Sequence, residues 1–186
     1  MKSILFIINL TIFIYPFHGD NADSAPILYS PWRSTYIKND RLFQINYDCP
    51  FCAKIMEDDD SHFVIKRYKT VLLCMNKYPY NEGHLLVIPL EHHNDLSLLP
   101  VETAQEFMVV VQEAITALKK ICNPTGFNIG MNIGREGGGS VPGHLHLHIL
   151  PRFNGDSDFL SILSQTKSIS VDIIEIYHAL KAILNT

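Results

Sequence analysis

The stretch Gly143-His144-Leu145-His146-Leu147-His148-Ile149-Leu150-Pro151-Arg152 admits few folds. Three histidines alternate with aliphatic residues. A strand points successive side chains to opposite faces. His144, His146 and His148 therefore share one face, and Leu145, Leu147 and Ile149 share the other. The aliphatic face belongs against a core, and the imidazole face belongs against a cleft or a ligand. Pro151 has no N–H to donate, so it is expected to end the ladder. A half-buried strand with an ordinary polar face seldom repeats histidine three times at period two.

The loop feeding this strand, Gly134 to Gly143, is rich in glycine. Glycine lets backbone N–H groups approach an anion closely. A phosphate facing these amides and the Ser140 hydroxyl would lie beside His146, whereas a mobile hairpin loop is the plainer reading. Cys49-Pro50-Phe51-Cys52 holds two thiolates at the separation a tetrahedral zinc needs. Redox chemistry is the rival, but the flanking residues lack a thioredoxin-like strand–turn–helix pattern. His92, or its neighbour His93, and His144 are available to complete a four-ligand site.

The rest of the chain reads as an alternation of strands and helices. Phe63 to Arg67 and Thr70 to Met75 are expected as strands joined by a tight turn at Tyr68-Lys69. Asn76 to Gly83 is a loop by composition. His84 to Pro89 is nearly continuously apolar and reads as a central strand buried on both faces. Pro100-Val101-Glu102 opens a helix through Cys122, with Phe107, Val110, Val111, Ala114, Ile115 and Leu118 on one face. Lys119-Lys120 suit its negative pole and Asn123-Pro124 stop it. Gly126 to Ile133 is another strand, and Val171 to Leu184 a final amphipathic helix. Ala53 to Glu57 is expected as a short helical turn. The acidic run Asp58-Asp59-Asp60 reads as a solvated turn, with a cation site as the alternative. Strands before, between and after one long helix indicate an α+β fold with helices on one side of the sheet.

Composition narrows the function. The net charge of −4 leaves no broad basic surface, so nucleic acid is not an expected partner. The four cysteines do not form a disulfide framework, which points to a reducing compartment or a metal site. Ile4 to Phe17 is almost uninterruptedly apolar after Met1-Lys2. It is short for a membrane span and has the layout of a secretory signal. Residues 1–25 are therefore read as either a signal or an upstream extension, and 26–186 as the folded domain. The protein is exported on the first reading and cytoplasmic on the second.

His144-Leu145-His146-Leu147-His148-Ile149-Leu150-Pro151-Arg152 resembles the signature of the histidine triad (HIT) family of nucleotide hydrolases and transferases. The resemblance implies an antiparallel sheet with a long helix and a C-terminal helix packed on it, and a homodimer. It makes His146 the nucleophile that forms a nucleotidyl-histidine, with His148, His144 and His84 in support. It sets Asn76 against the ribose and Phe51, Asn132, Gly138, Gly139 and Ser140 around the nucleotide. Zinc-bearing relatives imply a structural zinc held by Cys49, Cys52, His92 and His144, with no organic cofactor. Galactose-1-phosphate uridylyltransferases carry Gln at the third triad position, so His148 argues against that branch. Pro31-Trp32-Arg33 and Asn76-Lys77-Tyr78-Pro79-Tyr80 are similar to the branch of diadenosine tetraphosphate phosphorylases and ATP adenylyltransferases. Phe153 to Phe159 resembles that branch's tail, except that Asp158 replaces Asn. The implied substrate is an adenine nucleotide or a dinucleoside polyphosphate. Two other readings stand beside it: a non-catalytic, zinc-stabilised nucleotide-binding protein, and a metallohydrolase with the three histidines around one ion.

Overall fold

The computed structural model describes residues 49–156, 169 and 171–186. The expectations for residues 1–25, for Pro31-Trp32-Arg33 and for Asp158 lie outside the described residues.

The elements in chain order are α1 (Pro50–Met56), β1 (Val64–Arg67), β2 (Val71–Met75), β3 (Leu85–Pro89), a 3-10 turn (Leu96–Leu98), α2 (Val101–Ile121), β4 (Gly126–Gly130), β5 (Leu147–Arg152) and α3 (Ile173–Leu184). The strands form one sheet in the order β1-β2-β3-β5-β4, with every pairing antiparallel. This is the α+β architecture expected. All five residues of β3 are buried, as its continuous apolar run predicts for the middle strand. The Tyr68-Lys69 turn forms, with Tyr68 N–H donating to Val71 O at 2.8 Å. Glu106 of α2 clamps it by accepting the Thr70 N–H and hydroxyl, each at 2.6 Å.

One face of the sheet carries the main core. Leu73, Leu85, Val87, Leu145, Leu147 and Ile149 meet Phe107, Val110, Ala114 and Leu118 of α2 and Ile176, Tyr177 and Leu180 of α3. The aliphatic half of the His-rich stretch therefore faces the core as its period requires. The opposite face holds a smaller cluster of Val64, Leu72, Cys74, Leu86, Ile88 and Val141 under Phe51 of α1. Helices thus lie on both faces rather than one. The reason is that α1 starts at Pro50, three residues before the expected turn. Proline suits the first helical position because its missing N–H has no intrahelical partner there.

Two expectations about β5 need correction. Pro151 does not end the ladder, because β5 runs to Arg152 and Pro151 sits opposite Phe127 of β4. The N and O of one strand residue point to the same side. The Pro151 carbonyl accepts from Asn81 Nδ2 at 3.0 Å, so its nitrogen faces a loop beyond β3 and forfeits no ladder bond. The other end is shorter than expected. The β3–β5 register, continued, would set Leu145 against Pro89, which has no N–H to give. Leu145 N–H instead donates to His93 O at 2.7 Å, and the regular strand begins at Leu147.

Among the described residues the acidic run does not gather into a group that could hold a metal, and each carboxylate has a protein partner. Asp58 accepts from Ser61 N–H at 2.9 Å, and Asp59 pairs with Arg67 at 2.6 Å. Asp60 accepts from Lys181 Nζ at 2.5 Å and from the Tyr177 hydroxyl at 2.6 Å, tying α3 to this loop.

Candidate active site

Each of the three triad histidines has a different partner, and each partner sets the ring's tautomer. Carbonyl oxygens only accept, so a ring nitrogen facing one must carry the hydrogen. His144 places Nε2 at 3.0 Å from Pro89 O, which leaves the Nδ1 lone pair for other duty. His146 places Nδ1 at 2.9 Å from His144 O, which leaves its Nε2 bare. His84 Nδ1 accepts from the Tyr80 N–H at 3.1 Å, so its Nε2 donates to His148 Nδ1 at 2.8 Å. The hydrogen of neutral His148 is then on Nε2.

The bare Nδ1 of His144 faces sulfur. Cys49 Sγ lies at 3.3 Å and Cys52 Sγ at 3.6 Å from it, and His92 Nδ1 is 3.2 Å from Cys52 Sγ. The four donor atoms fall within 4.8 Å of one another. This donor set fits a metal. Its two thiols and two imidazoles match a closed tetrahedral site. The His144 ring is oriented from behind by a carbonyl, as metal-bound imidazoles are. Burial and the neighbouring Cys49 thiol push the Cys52 thiol up to about 11, a resistance to ionisation that a bound dication reverses. Burial takes His144 down to about 4, so its ring is neutral and able to ligate. Geometry chooses His92 over His93, whose Nε2 faces Glu91 at 3.2 Å.

His146 is 4 % exposed and borders a cavity of about 340 Å³. Burial lowers the His146 pKa below its ordinary value, which favours the neutral ring. The Phe51 ring packs on it, with centroids 4.7 Å apart. His148, Ser140, Val141, Asn76 and Tyr80 also line this cavity. Tyr80 lies nearly parallel to the His148 ring, with centroids 5.9 Å apart. Among the described residues the three triad rings do not form a group that could share one ion, and the bare Nδ1 of His144 turns to the cysteine sulfurs instead.

The remaining expected residues distribute unevenly. Asn76 borders the cavity, and its amide also serves the loop: Oδ1 accepts from Tyr78 N–H at 3.0 Å and Nδ2 lies 3.3 Å from His84 Nδ1. Of the glycine-loop positions, Ser140 reaches the cavity, whereas Asn132, Gly138 and Gly139 are outside its lining. Gly138 has φ +84° and its N–H is engaged with Arg135 O at 3.1 Å, a turn internal to the loop. The sequence reading missed Lys54 and His62, both in the cavity wall. The signal was available for Lys54, which follows Phe51 by three residues and so shares its face once α1 is started at Pro50.

Comparison with known proteins agrees with this geometry. The HIT domain family model matches residues 57–155. A Mycobacterium tuberculosis protein named AP-4-A phosphorylase is 36% identical over 152 residues, covering 79% of this chain and 78% of its own length. An uncharacterised HIT-like protein of Methanocaldococcus jannaschii is 32% identical over 124 residues, covering 67% of this chain and 93% of its own length. Among solved structures, a Zn-bound histidine triad family protein from Mycobacterium smegmatis superposes with a TM-score of 0.61 at 30% identity, covering 74% of this chain and 94% of that one. The chain therefore belongs to the HIT domain family, the family its row of alternating histidines resembles.

Proposed function

We propose that this protein is a nucleotide hydrolase or transferase that cleaves a dinucleoside polyphosphate through a nucleotidyl-histidine on His146. The observation that carries the reading is the hydrogen bond from His146 Nδ1 to His144 O at 2.9 Å, on the wall of a nucleotide-sized cavity. It leaves a neutral imidazole with a bare Nε2, the form that attacks. In the first step the Nε2 lone pair bonds to an α-phosphorus, and the bond to the bridging oxygen breaks. The leaving nucleoside polyphosphate takes that electron pair. In the second step water or inorganic phosphate attacks the same phosphorus and His146 departs. His148 Nε2–H donates to the phosphoryl oxygens as charge builds on them, and His84 holds it in that tautomer. Similarity to the protein named AP-4-A phosphorylase supports phosphate as acceptor and dinucleoside polyphosphates as the substrate class, with the choice of base set by this chain's own pocket.

The metal is zinc on this reading. Cys49, Cys52, His92 and His144 would fill all four positions and leave none for water, so it supplies rigidity rather than chemistry. The dimer implied by the family resemblance is consistent with β4, an edge strand on which Ile129 stays exposed.

The test is incubation with diadenosine tetraphosphate, with and without inorganic phosphate, followed by an acid-free quench and intact mass measurement. Wild-type protein is expected to carry one nucleotidyl group and His146→Ala none. Unimpaired turnover by His146→Ala removes the mechanism.

A further inference from the structure

Lys54 is the one buried cation among the described residues, 7 % exposed, in the wall of the cavity. Its Nζ donates to the His62 carbonyl and lies beside the Cys74 thiol. Among the described residues no carboxylate is within ion-pair reach of it. An ammonium has three N–H donors and no acceptor. One carbonyl and a weakly accepting thiol do not satisfy it. Phe51, Phe63, Met75 and Leu86, side chains without a strong acceptor, share the cavity lining with it, and among the described residues no hydrogen bond joins it to the polar side chains there. A buried charge left in this condition demands an acceptor from whatever fills the cavity.

The sheet register says which part of a nucleotide that is. His148 sits opposite Leu86, Leu86 opposite Cys74, and Cys74 opposite Val64. Directly opposed residues share one face. Cys74 therefore lies two strand spacings, about 10 Å, from His148 along a straight row on the cavity side. Lys54 stands over the Cys74 end of this row, and His146 and His148 stand at the other. On the nucleotidyl-transfer reading, a nucleotide with its α-phosphorus at His146 would lie with its base across Leu86 and the far edge of the base toward Lys54.

We propose that Lys54 reads the base, selecting a purine with an oxygen at C6, as in guanine nucleotides, over adenine. This rests on the nucleotidyl-transfer reading for the position of the phosphate. Guanine presents two adjacent acceptors, O6 and N7, whereas adenine presents N7 beside an amino donor. A group that can only donate matches the first edge. Against the second it sets donor to donor in a pocket with little water to relieve it. The preferred substrate therefore differs in its base from the one in the name of the mycobacterial relative.

The test is calorimetric titration of the full chain with guanosine monophosphate and with adenosine monophosphate. Wild-type protein is expected to bind the guanine nucleotide about tenfold or more tightly than the adenine one. Lys54→Met keeps the length and removes the donors, and the ratio is expected to fall to about one. Lys54→Gln can turn its amide oxygen to the adenine amino group, so the ratio is expected to move further toward adenine. Adenine binding equal to or tighter than guanine in the wild type overturns the proposal, as does an unchanged ratio in both variants or no binding of either nucleotide. The same titration on His146→Ala protein separates the two claims. A guanine preference retained there, in a protein whose wild type forms no nucleotidyl adduct, sinks the mechanism and leaves the base reading standing.

Discussion

Gly83, the residue before His84, offers a sharp test of how the site is held. Its φ is +67°, a region that costs a residue with a Cβ about 1–2 kcal/mol. A Cβ there would also stand 2.8 Å from Leu118 Cδ2, 3.3 Å from Pro151 Cγ and 3.6 Å from Cys122 Sγ. Leu118 is fully buried and cannot swing aside, so the contact adds an overpacking cost of about 1–3 kcal/mol. Gly83→Ala is therefore expected to lose about 2–5 kcal/mol in equilibrium urea unfolding. The two parts separate in a double-mutant cycle. Leu118→Ala alone opens a cavity and costs about 2–5 kcal/mol. Together with Gly83→Ala it gives the new methyl room, so the pair is expected to fall short of the sum by about 1–3 kcal/mol. The backbone cost remains. A Gly83→Ala protein within about 0.5 kcal/mol of wild type, the range of an indifferent surface change, would refute both the strain and the packing at this corner.

Removing a ligand of the metal cluster should empty it: Cys49→Ser is expected to lose the metal by elemental analysis, and full retention excludes the four residues as its site. His84→Phe keeps the ring volume but leaves His148 without its tautomer-setting donor. It is expected to lower kcat about 10- to 1000-fold with KM little changed, and an equal loss in both would make His84 merely structural. Asp60 accepts from Lys181 and Tyr177, which hold its carboxyl below the usual range, while His178 adds a weaker pull in the same direction. A depressed carboxylate contributes stability above its unfolded pKa of about 3.9, and that contribution is lost as pH falls through the lower folded value. Asp60→Asn should therefore be less stable than wild type near neutrality and equal to it in strong acid, measured by urea midpoints. A gap of constant size across pH contradicts the pairing.

The division of faces along His144 to Ile149 was legible because period two depends on covalent geometry alone. The central place of β3 was legible because a run without polar residues suits two buried faces. The metal cluster was legible up to one ambiguity. His92 and His93 are adjacent, and the chain alone does not say that one side chain meets Cys52 while the other residue's carbonyl takes the Leu145 N–H. The reach of β5 past Pro151 was hidden for a related reason. Whether a missing N–H matters depends on which side of the strand has a neighbour, and that is a tertiary fact. Asp60 was legible as part of a solvated turn, where it indeed lies exposed, but its partner Lys181 was not, because it stands 121 residues away. Lys54 was overlooked because starting the first helix at Ala53 takes it off the face it shares with Phe51.

Three identical side chains on one short stretch acquire three chemistries through hydrogen bonds made largely by the backbone. An imidazole has two nitrogens, and engaging one decides the state of the other. Pro89 O takes the His144 hydrogen at Nε2, which makes Nδ1 a ligand atom. His144 O takes the His146 hydrogen at Nδ1, which leaves Nε2 bare, the atom that attacks in the proposed mechanism. His84 gives a hydrogen to His148, which makes Nε2–H a donor. The acceptor that holds His146 is thus the carbonyl of the residue whose side chain joins the cluster of Cys49, Cys52 and His92. Anchoring the His144 ring between Pro89 O and the two cysteine sulfurs also limits how its carbonyl can tilt. Disorder at the cluster then reaches His146 by two routes, through the His144 backbone and through Phe51, which stands between the two cysteines and packs on the His146 ring. On the proposed mechanism, a cluster that lies outside the reaction would in this way still govern its rate.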